Sequence, residues 1–126
     1  MRKKTNQSLE DYLEAILIIK ERQGYARSVD VATELGVTKP SASVAMKKLR
    51  EEEYINMDPS GHIFLTDSGK KLAEKVYSKH RLLYKALVSI GVDEATAAEE
   101  ACLIEHIISD KTYNKINDFY KKQSKK

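Results

Sequence analysis

The stretch Ser28-Val-Asp-Val-Ala-Thr-Glu-Leu-Gly36-Val-Thr-Lys-Pro-Ser-Ala-Ser-Val-Ala-Met-Lys-Lys-Leu49 decides the fold. Its apolar residues Val29, Val31, Ala32 and Leu35 recur at helical spacing and stop at Gly36, a residue type that ends helices because it enters the left-handed region without strain. A second helix is predicted from Lys39-Pro40 through Val44, Met46 and Leu49 to about Glu53. Pro40 suits its first turn, where a missing N–H forfeits no intrahelical bond. Two helices joined by a tight turn at a glycine, with Ala32 small enough to let them approach, make a helix-turn-helix, whose second helix enters the DNA major groove. Thr38, Lys39, Pro40, Ser41 and Ser43 lead that helix and suit base edges, while Lys47, Lys48 and Arg50 follow as phosphate partners.

The chain on either side extends the motif. Tyr54-Ile-Asn-Met57, Asp58-Pro-Ser-Gly61 and His62-Ile-Phe-Leu-Thr66 read as strand, turn and strand, because Asp-Pro-Ser-Gly is turn chemistry between two β-favouring runs. A hairpin directly after a recognition helix is a wing. Upstream, Ser8-Leu-Glu-Asp11 is a near capping box, followed by Leu9, Tyr12, Leu13, Ile16, Leu17 and Ile19 at helical spacing up to Gly24. Three helices and a hairpin specify a winged helix-turn-helix more closely than either part alone; plain packing helices with a hairpin are the alternative. Asp11 and Glu14 lie three residues apart on the first helix, where the ordinary roles are a cap and a solvated side chain.

Downstream, Thr66 is predicted to cap a long helix reaching Ile90 and ended by Gly91, with an apolar stripe at Leu72, Val76, Leu83, Leu87 and Ile90. His80 falls inside that stripe, as a hydrogen-bonded core histidine or as a nitrogen ligand. A further helix starts near Asp93, and Ser109 caps a last one with Tyr113, Ile116, Phe119 and Tyr120 on one face. These apolar helices exceed what a winged domain needs, and the surplus predicts a dimer interface. Only the last few residues read as disordered.

Composition narrows the function classes. A chain of 126 residues is long enough for a real core, and one cysteine excludes an internal disulfide framework. Met1-Arg-Lys-Lys leads into polar residues without a signal-peptide core, and there is no membrane-length apolar run, so a cytoplasmic protein is expected. The 22 Lys and Arg against 19 Asp and Glu leave a net charge of +3, mildly basic and short of a polybasic coat. Arg2, Lys3 and Lys4 at one end and Lys121, Lys122, Lys125 and Lys126 at the other read as solvated tails or phosphate contacts.

The run Glu99-Glu-Ala-Cys102-Leu-Ile-Glu105-His106-Ile-Ile108 carries the chemistry. On a helix, Cys102, Glu105 and His106 share a face, and their sulfur, oxygen and nitrogen donors suit a divalent transition metal of intermediate softness. Three ligands do not complete a site, and a packed thiol beside an exposed Glu and His is the plainer reading. No phosphate-cradling glycine loop or nucleophile elbow supports an enzyme. A winged-helix regulator of the organic-ligand or protein-partner type, without a metal switch, is the competing class.

With these residues in view, the chain resembles the metal-dependent repressors of the diphtheria toxin repressor and manganese transport regulator group. The resemblance runs from Ser8 to about Phe119. It is carried by Asp11-Tyr-Leu-Glu14, the helix-turn-helix from Gly36 to Leu49, Leu65-Thr66-Asp-Ser-Gly69, Lys79-His80-Arg-Leu and Glu100-Ala-Cys102-Leu-Ile-Glu105-His106-Ile-Ile-Ser-Asp110. It implies a mainly α protein: residues 1–70 as a winged helix-turn-helix DNA-binding domain, and residues 71–126 as a helical metal-binding and dimerisation domain. It further implies a homodimer on a palindromic operator in double-stranded DNA, with neither membrane nor small organic substrate. One or two divalent ions per subunit, Fe(II) or Mn(II), would switch repression of metal-uptake genes.

The ligand set implied by position is Asp11, Glu14, His80, Cys102, Glu105 and His106. It is a hybrid: Asp11, Glu14 and His80 match the manganese branch, whereas Cys102 matches the iron-responsive branch. That branch's ancillary site uses an acid and a histidine where this chain has Tyr84 and Ala98. Val44 replaces a polar recognition-helix residue that touches bases in relatives, so the operator sequence does not carry over. Ending near Lys126, the chain resembles the short, two-domain form.

Overall fold

The computed structural model describes residues 4–124, with side-chain surroundings for residues 9–122. In chain order it contains α1 (Lys4–Gln23), α2 (Ser28–Leu35), α3 (Lys39–Glu51), β1 (Ile55–Met57), β2 (Ile63–Leu65), α4 (Asp67–Ser89), α5 (Glu94–Ile104) and α6 (Asp110–Ser124). The chain forms two compact units, residues 1–75 and 76–126, and the boundary falls inside α4. The family of expected elements is present, mainly helical with one hairpin.

Unit 1 is built on α1. Tyr12, Leu13, Ala15, Ile16, Leu17 and Ile19 are all buried, a wider stripe than a single-faced surface helix carries, because α1 meets both α2 and α3. Arg22 and Glu34 pair at 2.9 Å between α1 and α2. Gly36 ends α2 in the left-handed conformation at φ 68°, and its N–H reaches back to the Thr33 carbonyl. Thr38 opens α3: its Oγ1 accepts from the Ser41 N–H at 3.2 Å and donates to Ser41 Oγ at 2.9 Å, with Pro40 in the first turn. Ala42, Ala45, Met46 and Leu49 form the inward face of α3.

The hairpin pairs Ile55 with Leu65, Asn56 with Phe64 and Met57 with Ile63. Its turn closes through Gly61 N–H to the Asp58 carbonyl, while the His62 N–H donates to Asp58 Oδ1 at 2.9 Å. That donation, first among the causes, holds the Asp58 carboxyl below the usual range. The wing is moored to α1 by Lys20, whose Nζ donates to the Ile63 carbonyl at 3.2 Å and lies 4.7 Å from the Phe64 ring centroid.

A latch closes the wing onto the start of α4. Glu53 takes a positive φ of 65°, strained for a side chain with a Cβ, and its carbonyl accepts from both Thr66 Oγ1 (2.7 Å) and Ser68 Oγ (3.3 Å). Thr66 also caps α4, accepting from the Gly69 N–H at 3.1 Å. Gly69 is buried against the next residue of the latch: a Cβ there would overlap the Tyr54 carbonyl. The Thr-Asp-Ser-Gly run is thus a helix cap and a wing anchor at once.

Unit 2 holds the rest of α4 with α5 and α6. Asp93 caps α5 by accepting from the Thr96 N–H at 2.9 Å, which pulls its carboxyl below the usual range. Ser109 caps α6, accepting from the Thr112 N–H at 3.1 Å. Ser89 Oγ lies 3.2 Å from the Tyr120 hydroxyl, and the nearly buried Lys79 pairs with Asp110 at 3.2 Å, so α6 is tied to α4 at both ends.

Three expectations are corrected. The first helix begins at Lys4 rather than Ser8, since nothing between them breaks a helix and a serine is tolerated inside one. Ile90, assigned to the α4 stripe, is 76% exposed, because α4 ends at Ser89 and Ile90 sits in the turn before Gly91, whose φ is 103°. The Cys-bearing helix ends at Ile104, so Glu105 and His106 lie just beyond it. The expectations on Arg2, Lys3, Lys125 and Lys126, and on a disordered C-terminal tip, fall outside the described residues or their side chains.

Candidate metal centre and DNA-reading helix

Unit 2 brings four of the expected ligands together. Glu105 caps α5 in right-handed helical geometry, and its N–H still donates to the Ala101 carbonyl at 2.9 Å. The helical offset from Cys102 therefore persists through one further turn, although α5 itself has ended. Cys102, Glu105 and His106 each offer one donor atom (Sγ, a carboxylate oxygen and an imidazole nitrogen), and these lie within 4.8 Å of one another.

The centre of the cluster is Glu105. Its side chain is 0% exposed, with Oε1 2.9 Å from His80 Nδ1 and Oε2 3.5 Å from His106 Nε2. The imidazole of His106 is 4% exposed and that of His80 24%. A buried carboxylate whose two oxygens each face an imidazole is costly unless positive charge compensates it, either protons on the histidines or a cation among the donors. His80 stacks on Tyr84, ring centroids 6.5 Å apart and 13° from coplanar, which sets the plane of its ring.

The donor set fits a transition metal. Donors bound to one ion at ~2.0–2.3 Å lie no more than about 4.6 Å apart, so the Cys102, Glu105 and His106 atoms are already near coordination spacing. Thiolate, imidazole and carboxylate together match ions from manganese(II) to zinc(II) rather than calcium or magnesium, which take oxygen alone.

Asp11 and Glu14 stand on α1 in unit 1, one turn apart; Asp11 is half-buried and Glu14 buried. The solvated role is thus excluded for Glu14. Beside them, the Tyr12 phenol is held above its usual range, first by burial and then by the charge of Asp11.

The predicted DNA-reading residues Thr38, Lys39, Pro40, Ser41, Ser43, Lys47 and Lys48 are all exposed on or at the head of α3. Two of their hydroxyls, on Thr38 and Ser41, are engaged in the helix cap. The wing from Tyr54 to Leu65 carries no Lys or Arg; the cations beside it include Lys20, which moors it to α1, and Arg27, which bridges to His62. The sequence reading missed the latch of Glu53, Thr66, Ser68 and Gly69. Its signal was present in the Leu65-Thr-Asp-Ser-Gly69 run, read there as a cap and as part of the resemblance.

The chain matches two family models, "Iron dependent repressor, N-terminal DNA binding domain" over residues 4–63 and "Iron dependent repressor, metal binding and dimerisation domain" over residues 66–125. It is 42% identical over 120 residues to an uncharacterised HTH-type transcriptional regulator of Methanocaldococcus jannaschii, covering 93% of this chain and 95% of the relative. To the HTH-type transcriptional regulator MntR of Bacillus subtilis it is 36% identical over 114 residues, covering 90% and 80%. A solved manganese-dependent transcriptional repressor in complex with manganese matches with a TM-score of 0.80 at 31% identity, over 87% of this chain and 51% of that one. The metal-dependent transcriptional regulator MtsR matches with a TM-score of 0.83 at 29% identity, over 90% and 53%. The chain spans most of the curated relatives but about half the length of these solved structures. Nothing among these relatives points to an organic-ligand switch, and the chain belongs to the iron-dependent repressor family, as a metal-dependent DNA-binding transcriptional regulator and not an enzyme.

Proposed function

We propose that this regulator uses Asp11, Glu14, His80, Cys102, Glu105 and His106 as its metal ligands, with Fe(II) or Mn(II), one or two per subunit, as the cellular signal. The observation that carries the reading is the buried Glu105 with Cys102 and His106 donors at near-coordination spacing. Residues 1–70 read DNA and residues 71–126 bind metal and dimerise. The working form is a cytoplasmic homodimer on a palindromic operator, without a small organic substrate, repressing metal-uptake genes when metal is plentiful. Among the described residues, no helix is both long and apolar enough to cross a membrane.

The bound cation supplies positive charge to a carboxylate set that otherwise repels itself. Everything else rests on the chain. Glu105 orients His80 through a 2.9 Å hydrogen bond, and Tyr84 holds that ring from the side. Asp11 and Glu14 lie on α1, and α1 packs against α2 and α3, so whatever holds these two carboxylates also holds the reading helix. Metal binding would expel protons from Cys102 and His106, so the response would depend on pH. A tenfold change in operator affinity needs only about 1.4 kcal/mol of coupling, and DNA tightens metal binding by the same factor.

The test is binding of the metal-free protein to promoter fragments under anaerobic conditions at fixed salt, with and without Fe(II) and Mn(II). One of the two metals switches binding on. The Cys102→Ala protein loses most of that response, at least tenfold, while keeping metal-independent binding at high protein concentration; an unchanged metal response removes Cys102 from the ligand set.

A further inference from the structure

On α3, Ala42, Ala45, Met46 and Leu49 are buried and define the inward face. At 100° per residue the opposite face is centred between Pro40, Val44, Lys47 and Glu51. Val44 is 68% exposed, the most exposed large apolar residue of unit 1 among the described residues. Folding gives no reason for it. A β-branched residue is a weaker helix former than the Lys, Gln or Arg usual on an exposed face, and no burial in the subunit offsets that. Its neighbours on that face, Lys47 and Lys48, are cations; Lys39 and Arg50 are exposed elsewhere on the helix, and Glu51 is the single acid within it. Beside Val44 an open apolar groove of about 430 Å³ runs between α1 and α3, lined by Leu9, Pro40, Ala45 and the stem of Lys48.

An apolar side chain at the centre of a helix that enters the major groove has few partners there. Valine neither donates nor accepts a hydrogen bond, so it cannot distinguish the polar base edges. The one apolar group displayed in the major groove is the C5-methyl of thymine, and the minor groove displays none. Stiffness about χ1 lets valine make that contact at little cost in side-chain entropy.

We infer that Val44 reads a thymine C5-methyl group in each operator half-site, so that this regulator distinguishes T from C at one position by apolar contact where a hydrogen-bonding side chain would read an edge. The inference rests on the DNA-binding reading of α3. It predicts an operator with a T·A pair facing the middle of α3, flanked by pairs read by Ser41 and Ser43.

The experiment enriches binding sites from random duplexes with the full chain supplied with Fe(II) or Mn(II). Each thymine of the enriched site is then replaced singly by deoxyuridine, which removes only the methyl group. For the unaltered protein, deoxyuridine at one position per half-site weakens binding about fourfold, the equivalent of one buried methyl. Val44→Ala weakens binding to the thymine site by a similar factor, becomes indifferent to deoxyuridine at that position, and keeps the same salt dependence, since its phosphate contacts are intact. Equal methyl sensitivity in Val44→Ala, or no sensitive thymine at all, overturns the inference while leaving the regulator reading in place. Failure of any site to enrich overturns both.

Discussion

The two units are held together by different means. The largest fully buried side chains among the described residues, Leu13, Ile16, Ile19, Val31, Leu49, Ile55 and Ile63, all belong to unit 1. So do the element pairs in close backbone approach, α1 with α2 and α3, α2 with α3, and α3 with β1. In unit 2 the buried apolar residues are Val76, Leu83, Ala97 and Ala101, while Leu103, Ile107 and Phe119 are exposed and a carboxylate, Glu105, has a fully buried side chain. Unit 1 has the interdigitated core of an independent domain. Unit 2 has a polar centre and an uncovered apolar surface, which is what a unit completed by a cation and a second subunit shows.

That contrast can be broken by experiment. The largest expected effect is in unit 1: Gly69→Ala sets a Cβ against the Tyr54 carbonyl and destabilises the protein by about 2–4 kcal/mol, read as a lower urea midpoint. Metal does not rescue it. Stability like that of the parent would mean that the latch yields freely.

A nearly equal effect belongs to unit 2 and depends on metal. At about 100 times its dissociation constant, Mn(II) or Fe(II) stabilises the chain by ~2.7 kcal/mol, and Glu105→Gln, which keeps the shape but not the charge, abolishes most of this. Full metal stabilisation of Glu105→Gln would remove Glu105 from the site. Next comes the exposed surface. Ile107 is 68% exposed, and Ile107→Asp weakens the dimer by about 2 kcal/mol, roughly thirtyfold in dissociation constant by sedimentation. A dimer that tolerates this charge is built on some other surface.

The smallest effect sharpens the picture at α5. Folding lowers the Asp93 carboxyl because it accepts from the Thr96 N–H, so its stabilisation is present above the ordinary aspartate value of about 3.9 and is lost as the pH falls through the lowered folded value. Asparagine caps without titrating. The helicity of Asp93→Asn by circular dichroism therefore falls less between pH 4 and pH 2 than that of the parent; identical acid profiles would show that the cap does not support α5.

Local features of the sequence sufficed for the elements. Gly36, Thr38 with Pro40, Asp58-Pro-Ser-Gly61, Thr66 and Ser109 act through neighbours a few residues away, and each ends or begins an element where its chemistry says. The offsets of Cys102, Glu105 and His106 likewise needed only a helical backbone, and a helical turn continues past the end of α5 to supply it.

What needed the tertiary structure is whatever joins residues far apart in the chain. That His80 meets Glu105 across 25 residues, that Glu14 is buried rather than solvated, and that Gly69 lies under the Tyr54 carbonyl are all invisible to periodicity. A helical pattern says which residues share a face, and the packing of helices against one another decides what that face meets. So the sequence by itself determined the order of the elements and the chemistry of the donors, because both are set by local backbone preference and side-chain identity. Only the fold decided that Glu105 is the centre of the cluster and that Val44 stands exposed on the outward face of α3, because burial and exposure are properties of the packed chain.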